Sequence, residues 1–404
     1  MHFIGSPSAR LRAKQLFSNT PDHTKTRPAA VERLPVNILQ EIAGHISCLH
    51  DVFNFGSTSR RMWKHLLPRL YADVDLKTNK QCKQVLGVLA KRPGVARNIC
   101  TLTVRPNNMD SRAPPQDTID ERTLSELLLR IAPYLTSLHS FSWDGLEMPD
   151  DSLWRKLQKS CPHLVNVGTT IGEAPVENLS PLFDFRDLRK FSFVVKCASL
   201  EWIIDGRPPM EKLPRRFWEM LVEHCPDLEE LVIGGAAPSP RLFDIRPVSY
   251  GRWQRLRSLT LGDLAMQVPT RHSARSTPSF MEFLCSHPQL HCLKIQHIRG
   301  DTFPASLNLP RTALPALQTF SGPLAYIRSL PQPWLLQELE LTGLQHSTSS
   351  FPRLFSTLTR LRSLRSLHIR IDLSLYTSVN RTPQPHFRLP TWAPHRAKCS
   401  KGVN

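Results

Sequence analysis

One pattern of apolar positions recurs along most of the chain: apolar, two variable residues, apolar, one variable residue, apolar. The alternation in its last part is typical of a short strand with one buried face. Several copies follow a helical stretch and a turn, as 154–157 precedes 161–164. The clear copies, with weaker ones at Leu164 and Leu317, are Ile99, Leu102 and Val104; Leu138, Phe141 and Trp143; Leu188, Phe191 and Phe193; Leu228, Leu231 and Ile233; Leu256, Leu259 and Leu261; Leu290, Leu293 and Ile295; Leu336, Leu339 and Leu341; and Leu364, Leu367 and Ile369.

A single strand and helix of this kind cannot bury its own apolar residues. Units stacked in parallel build a continuous core, with strands on an inner wall and helices on an outer wall. Most copies begin roughly 24 to 28 residues apart, which suits such a stack. We therefore expect an α/β fold in which residues 77–372 form an arc. Three stretches rich in Pro, Ser, Arg or charge, 107–117, 205–214 and 267–278, are expected to leave the stack as loops.

A helical period precedes the repeats, between residues 34 and 76. Ile38, Leu39, Ile42 and Ile46 recur at spacings of three and four, which places them on one face of a helix that Pro35 can start. The spacing returns within 49–55 and again within 63–70, and residues 57–59 between them offer N-cap hydroxyls. The segment predicts three short helices with too few residues for a self-sufficient core.

Both segments resemble known families. The helical segment resembles the F-box motif, and the resemblance is carried by Leu34-Pro35, Ile38-Leu39, Ile42, Ile46, Asp51-Val52, Ser59-Arg60 and Trp63. The later segment resembles irregular leucine-rich repeats. Together they imply a three-helix F-box with its linker strand at 31–76, followed by a leucine-rich-repeat-like solenoid of parallel strands and outer helices at 77–372. The resemblance also implies docking to a Skp-type adaptor, and through it to a cullin-RING ligase, by Leu34, Pro35, Ile38, Leu39, Ile42 and Trp63.

Composition places the chain in a broad class. It has 404 residues, of which 40% are hydrophobic, enough for a sizeable core. No apolar run approaches the roughly 20 residues needed to span a bilayer, and no secretory leader is recognisable, so we expect no membrane association. Nine cysteines without a C-x-x-C pair favour reduced, buried thiols in a cytoplasmic or nuclear protein.

The net charge of +18 is unevenly distributed along the chain. Residues 1–30 carry five basic residues and one acidic residue, a net of +4, and residues 373–404 carry five basic residues and no acid, a net of +5. Both tails are rich in Pro, Ser and Thr without apolar periodicity, so we expect them to be disordered. They could serve as nuclear-import or nucleic-acid patches, but they contain no run of five basic residues, which favours plain solvated ends.

The sequence lacks the motifs that enzymes of the common classes require. It has no H-E-x-x-H, no G-x-x-x-x-G-K-[ST], no G-x-G-x-x-G after a strand and no G-x-S-x-G elbow. Cys161, Cys225 and His287 occupy the same place before Pro in three repeats, which indicates a packing role. The sixteen histidines show no ligand spacing. We therefore expect a protein that is not an enzyme and uses neither cofactor nor metal.

Binding is expected on the inner wall, because the strand residues between the core positions face solvent. These residues are chemically mixed, without the basic stripe or aromatic ladder that nucleic-acid binding would favour. We expect a protein substrate there, bound toward the C-terminal end by Lys294, Glu338, Glu340, His368 and Arg370. The chain would then be the substrate receptor of a Skp-cullin-F-box type ubiquitin ligase. The alternatives are a protein-binding repeat scaffold without ubiquitin transfer and, less favoured, a nucleic-acid binder acting through the tails.

Overall fold

The computed structural model of the protein describes residues 30–107, 118–172, 174–196, 210–235, 242–262, 264–265, 280–296, 307–344 and 350–371. The expected basic tails therefore lie outside the described residues, except for Ala30. Most of the expected loop 107–117 and all of 267–278 also lie outside them.

Three short helices occupy the N-terminal segment: α1 Val36–His45, α2 Leu49–Ser57 and α3 Arg60–Tyr71. Pro35 immediately precedes α1, and Ser59 caps α3, because its hydroxyl accepts a hydrogen bond from the backbone N–H of Met62 at 3.2 Å. Their facing side chains form a small core of their own, which consists of Leu39, Ala43, Val52, Met62, Leu66 and Leu70.

The described residues contain fourteen strands, numbered in chain order: β1 Asp73–Leu76, β2 Thr101–Val104, β3 Ser140–Trp143, β4 Asn166–Ile171, β5 Lys190–Val195, β6 Met210–Lys212, β7 Glu230–Gly235, β8 Leu242–Asp244, β9 Ser258–Gly262, β10 Leu264–Ala265, β11 Cys292–Gln296, β12 Thr319–Gly322, β13 Glu338–Leu344 and β14 Ser366–Ile371. Eleven of them form one parallel sheet in the order β1-β2-β3-β4-β5-β7-β9-β11-β12-β13-β14. The protein is thus a mixed α/β fold with a large open parallel sheet whose strands follow chain order.

The strand register explains the apolar repeat. Leu231 of β7 lies opposite Leu259 of β9, and Leu259 lies opposite Leu293 of β11. The same buried row extends in both directions, through Leu102, Phe141, Val167, Phe191, Phe320 and Leu339. Residues between the buried rows are mostly half-buried or exposed, so the sheet has one buried face and one open face.

Helices cover the buried face of the sheet. They are α4 Asn79–Lys91, α5 Pro93–Ala96, α6 Glu121–Ile131, α7 Asp151–Ser160, α8 Arg215–Glu219, α9 Phe280–Cys285, α10 Leu324–Ser329 and α11 Ser350–Leu358. A π-helical turn, Met220–His224, extends α8. Short 3-10 helices occur at Ala30–Arg33, Ala132–Tyr134, Pro181–Asp184, Arg246–Tyr250 and Pro333–Leu335. Apolar side chains from several of these helices, such as Leu86, Leu128 and Leu157, join the strand rows in one continuous core.

A second, smaller sheet was not expected from the sequence. Strands β6, β8 and β10 pair in parallel in the order β10-β8-β6. Met210–Lys212 lies outside the large sheet, as expected for 205–214, but it forms strand β6 rather than a loop. Its partner strands come from the next two connections along the chain, so its pairing depends on contacts that its own composition does not indicate. No helix within the described residues is long and apolar enough to cross a membrane.

Candidate functional site

Helix α1 presents two apolar stripes rather than one. Leu39 and Ala43, four residues apart, are fully buried in the three-helix core. Ile38 and Ile42, also four residues apart, are 42% and 37% exposed. The expectation that Ile38, Leu39 and Ile42 share one face is therefore wrong, because Leu39 points inward while the two isoleucines point outward. As a result Leu39 offers no surface to a partner, whereas Ile38 and Ile42 do.

The other residues implied by the F-box resemblance lie around these stripes. Pro35 is exposed and Leu34 is half-buried against the three-helix core. Trp63 is half-buried, and its ring meets that of Phe53 edge to face, with centroids 5.5 Å apart. Trp63 thus helps to hold α2 against α3 and keeps part of its ring accessible.

The open face of the large sheet is the second candidate surface. Hydroxyl groups occupy many of its positions, and its charges in the first strands are mutually compensated. Arg105 bonds Asp75 at 3.0 Å and Asp144 at 3.1 Å, and Lys196 bonds Asp144 at 2.7 Å. Neighbouring strands are linked in the same way, since Lys190 of β5 pairs with Glu230 of β7 at 2.9 Å. These ion pairs join adjacent strands and leave little uncompensated charge in this half of the face.

The substrate-binding residues expected from the sequence come together on the last strands. The register places Lys294 next to Ser321, Ser321 next to Glu340, and Glu340 next to His368. Three strand spacings of about 4.8 Å separate Lys294 from His368, so their backbone positions are about 14 Å apart. Glu338 and His368 are exposed, and Glu340 is half-buried and accepts a hydrogen bond from the Ser321 hydroxyl at 2.9 Å. Arg370 lies on β14, but its side chain is outside the described part of the structure.

A polar ladder, which sequence analysis missed, supports the carboxyl ends of β2 and β3. The buried Asn107 side chain accepts a hydrogen bond from the Ile119 backbone N–H at 2.9 Å and donates to Glu121 at 3.0 Å. Glu121 also accepts from the backbone N–H groups of Leu146, at 2.8 Å, and Glu147, at 3.1 Å. Asn107 has a φ of 50°, a left-handed conformation that Asn tolerates better than most residues. The sequence signal for this ladder was limited to an Asn at the start of the expected loop 107–117.

A cavity of about 360 Å³ lies at the carboxyl end of β4 and is lined by apolar residues and four carboxylates. Three of these carboxylates already have structural partners. Glu147 accepts from the Gly172 backbone N–H at 3.1 Å, and Asp151 accepts from the Ser180 hydroxyl at 2.6 Å. Asp150 caps α7, and its hydrogen bonds to Ser152 hold the pKa of the carboxyl below its usual value. Within the described residues, no group of His, Cys, Asp and Glu is arranged to hold a metal ion.

Cys161, Cys225 and His287 are buried at equivalent places in three repeats, which confirms the packing role expected for them. Burial raises the pKa of Cys161 to about 12 and that of Cys225 to about 11, so both stay protonated and are weak nucleophiles at neutral pH. His287 Nε2 accepts a hydrogen bond from the Trp253 backbone N–H at 3.2 Å. Its Nδ1 therefore carries the proton and donates to the Phe283 carbonyl at 2.6 Å.

Comparison with known proteins adds no assignment to this geometry. No protein-family model matches the chain, and no curated protein is significantly similar to it in sequence. The function must therefore be argued from the two surfaces themselves.

Proposed function

We propose that the chain is the substrate-receptor subunit of a Skp-cullin-F-box type ubiquitin ligase. In this proposal the three-helix unit is an F-box that docks a Skp-type adaptor, and the sheet with its outer helices is a leucine-rich-repeat-like solenoid that captures a protein substrate. The chain itself performs no chemistry. It supplies proximity, by holding the substrate close to a conjugating enzyme that other subunits recruit.

The outer stripe of α1 is the observation that carries the proposal. Ile38 and Ile42 lie one turn apart on a unit whose inner stripe is already satisfied by its own core. Neither isoleucine belongs to the three-helix core or to the side chains that pack against it. An apolar stripe on so small a unit gains stability when a partner removes it from water. The ordered match of the neighbouring residues to the F-box motif favours a Skp-type adaptor as that partner.

The chemistry of the open sheet face supports a protein as the second ligand. Glu338 and Glu340 lie close to Lys294 and His368, so both signs of charge occur within a few strands. A mixed surface of this kind selects a complementary partner and repels mismatched ones, and it affects specificity and association rate more than affinity. This row of residues does not form the single basic stripe that would favour binding of a nucleic acid.

Adaptor pull-down with an α1 variant tests the proposal. Ile38→Ser combined with Ile42→Ser should abolish capture of a purified Skp-type adaptor and leave the circular dichroism spectrum unchanged, because both side chains lie outside the core. The matched control combines Leu179→Ser with Trp334→Ser, two exposed apolar side chains outside the three-helix unit. Undiminished adaptor binding by the α1 variant, or no binding by the wild-type chain, would favour a repeat scaffold that acts without ubiquitin transfer.

A further inference from the structure

In the described part of the chain, the last strand of the large sheet is paired on one side only. β14 pairs with β13, and no described residue pairs with its other edge. Its apolar side chains are also uncovered: Leu367 is 39% and Ile369 37% exposed, whereas Leu339 and Leu341, opposite them on β13, are buried. A six-residue edge strand with exposed apolar side chains is the type of surface to which an extended peptide adds as a further strand.

Charge indicates which kind of peptide the edge would accept. Residues 350–371 contain no Asp or Glu and five arginines, at positions 353, 360, 362, 365 and 370. Arg360, Arg362 and Arg365 are exposed in the segment that leads into β14, and none of them forms an ion pair with a described residue. Elsewhere on the sheet, Arg105 and Arg189 each pair with a carboxylate of a neighbouring unit. Positive charge without an ion-pair partner among the described residues therefore lies beside the open edge.

The same charge disfavours the two nearest alternative occupants. Pairing of β14 with a second copy would bring together two segments 350–371, each with five arginines and no acidic residue. The chain that follows β14 is also a poor match, because residues 372–404 carry five basic residues and a single acid, Asp372. A nucleic acid would match the charge but could not pair with the backbone N–H and C=O groups of a strand edge.

We propose that the open edge of β14 binds an extended, acidic segment of a partner protein as an additional strand. Apolar side chains of that segment lie over Leu367 and Ile369, and its carboxylates reach Arg360, Arg362 and Arg365. Arginine suits this role, because its guanidinium group can bond a carboxylate through two parallel hydrogen bonds. This inference is independent of adaptor docking, since β14 and α1 lie at opposite ends of the described chain.

Fluorescence anisotropy with a designed probe tests the proposal on the full-length chain. The probe is a labelled peptide of about twelve alternating Val and Glu residues, a length that covers the edge strand twice over. Binding should weaken about tenfold or more when Arg362→Glu is combined with Arg365→Glu. The matched control, Arg155→Glu with Lys159→Glu, makes the same charge change at exposed positions of α7 and should leave binding unchanged.

Backbone methylation of the probe distinguishes strand pairing from simple charge attraction. Successive N–H groups of a strand point to opposite edges, so methylation of all Val nitrogens blocks one edge and methylation of all Glu nitrogens blocks the other. Loss of binding by only one of the two methylated peptides supports pairing with β14. The proposal would be overturned if the unmethylated peptide and both methylated peptides bound equally. It would also be overturned if a peptide of alternating Val and Lys bound as tightly as the Val and Glu peptide.

Two further outcomes would replace the proposal with a different occupant. A single-stranded oligonucleotide that binds more tightly than the peptide, and loses binding with the same arginine variant, would make the edge a nucleic-acid surface. A dimer of the full-length chain that Leu367→Ser with Ile369→Ser converts to monomer would make the second copy the occupant. Neither outcome changes the adaptor pull-down, so failure here is distinguishable from failure of the proposed function.

Discussion

Leu259 is the residue at which the stacked core can be tested most severely. Its side chain is fully buried on β9 and lies between Leu231 of β7 and Leu293 of β11. Leu259→Ala removes three carbon atoms from the middle of a continuous row. Strands on both sides fix the neighbouring side chains, so the cavity cannot close easily. We expect a loss of about 4 kcal/mol in the free energy of unfolding, in the upper part of the range for buried Leu→Ala changes.

Leu367 provides a matched control, because it occupies the same row at the open edge. Among the described residues it has a neighbouring strand on one side only, where it lies opposite Leu339, and its side chain keeps 39% of its surface exposed. Only about three fifths of the Leu367 surface is buried, so truncation removes less burial than at Leu259 and leaves no closed cavity. Leu367→Ala should cost about 1 kcal/mol, since complete burial of a leucine contributes about 1.5 to 3 kcal/mol.

Urea unfolding measures the loss in unfolding free energy for Leu259→Ala and for Leu367→Ala. Hydrogen exchange with mass spectrometry shows which strands each substitution loosens. In a stack held by nearest-neighbour interfaces, Leu259→Ala should raise exchange in β7 and β11 as well as in β9. The reasoning is refuted if both substitutions cost the same. It is also refuted if faster exchange in the Leu259 variant is confined to β9.

Three other changes probe separate features. Glu338→Lys with Glu340→Lys should weaken capture of protein partners while adaptor binding is retained, and an unchanged profile of captured proteins by mass spectrometry would place the substrate site elsewhere. Burial lowers the pKa of His287, so the unfolded chain binds a proton more readily than the folded chain. Stability should therefore decrease as the pH falls below about 6.5, and urea midpoints of His287→Gln should depend less on pH in that window. Asn107→Ala should destabilise the fold by about 2 to 4 kcal/mol through lost buried hydrogen bonds, and Asn107→Gly, which relieves only the backbone strain, should recover under about 1 kcal/mol in the same measurement.

The apolar repeat predicted the buried rows of the large sheet because each copy carries its own alternation. Leu231, Leu259 and Leu293 are buried at the places where the pattern put them. The last copy follows the same pattern, yet Leu367 and Ile369 are partly exposed. A local pattern records which side chains could be buried, whereas burial also needs a neighbouring strand. Within the described part of the chain, β14 has that neighbour on one side only.

The orientation of α1 could not be predicted for a related reason. Apolar residues occupy both sides of the helix, so a spacing of three and four fits the pair Leu39 and Ala43 as well as the pair Ile38 and Ile42. Helix α3 determines which pair is buried, because its Met62 and Leu66 share a core with Leu39 and Ala43. The second sheet was missed because its two- and three-residue strands are defined only by pairing with one another.

Reconstituted ubiquitin transfer is the most direct test of the central claim. The chain, together with the proteins that co-purify with it, is incubated with a Skp-type adaptor, a cullin-RING pair, activating and conjugating enzymes and ubiquitin. Mass spectrometry then identifies modified lysines on the captured proteins. The account predicts modification with the wild-type chain, and loss of modification but unchanged capture with Ile38→Ser and Ile42→Ser. Captured proteins that stay unmodified with the wild-type chain, or that are modified equally with the variant, would contradict it.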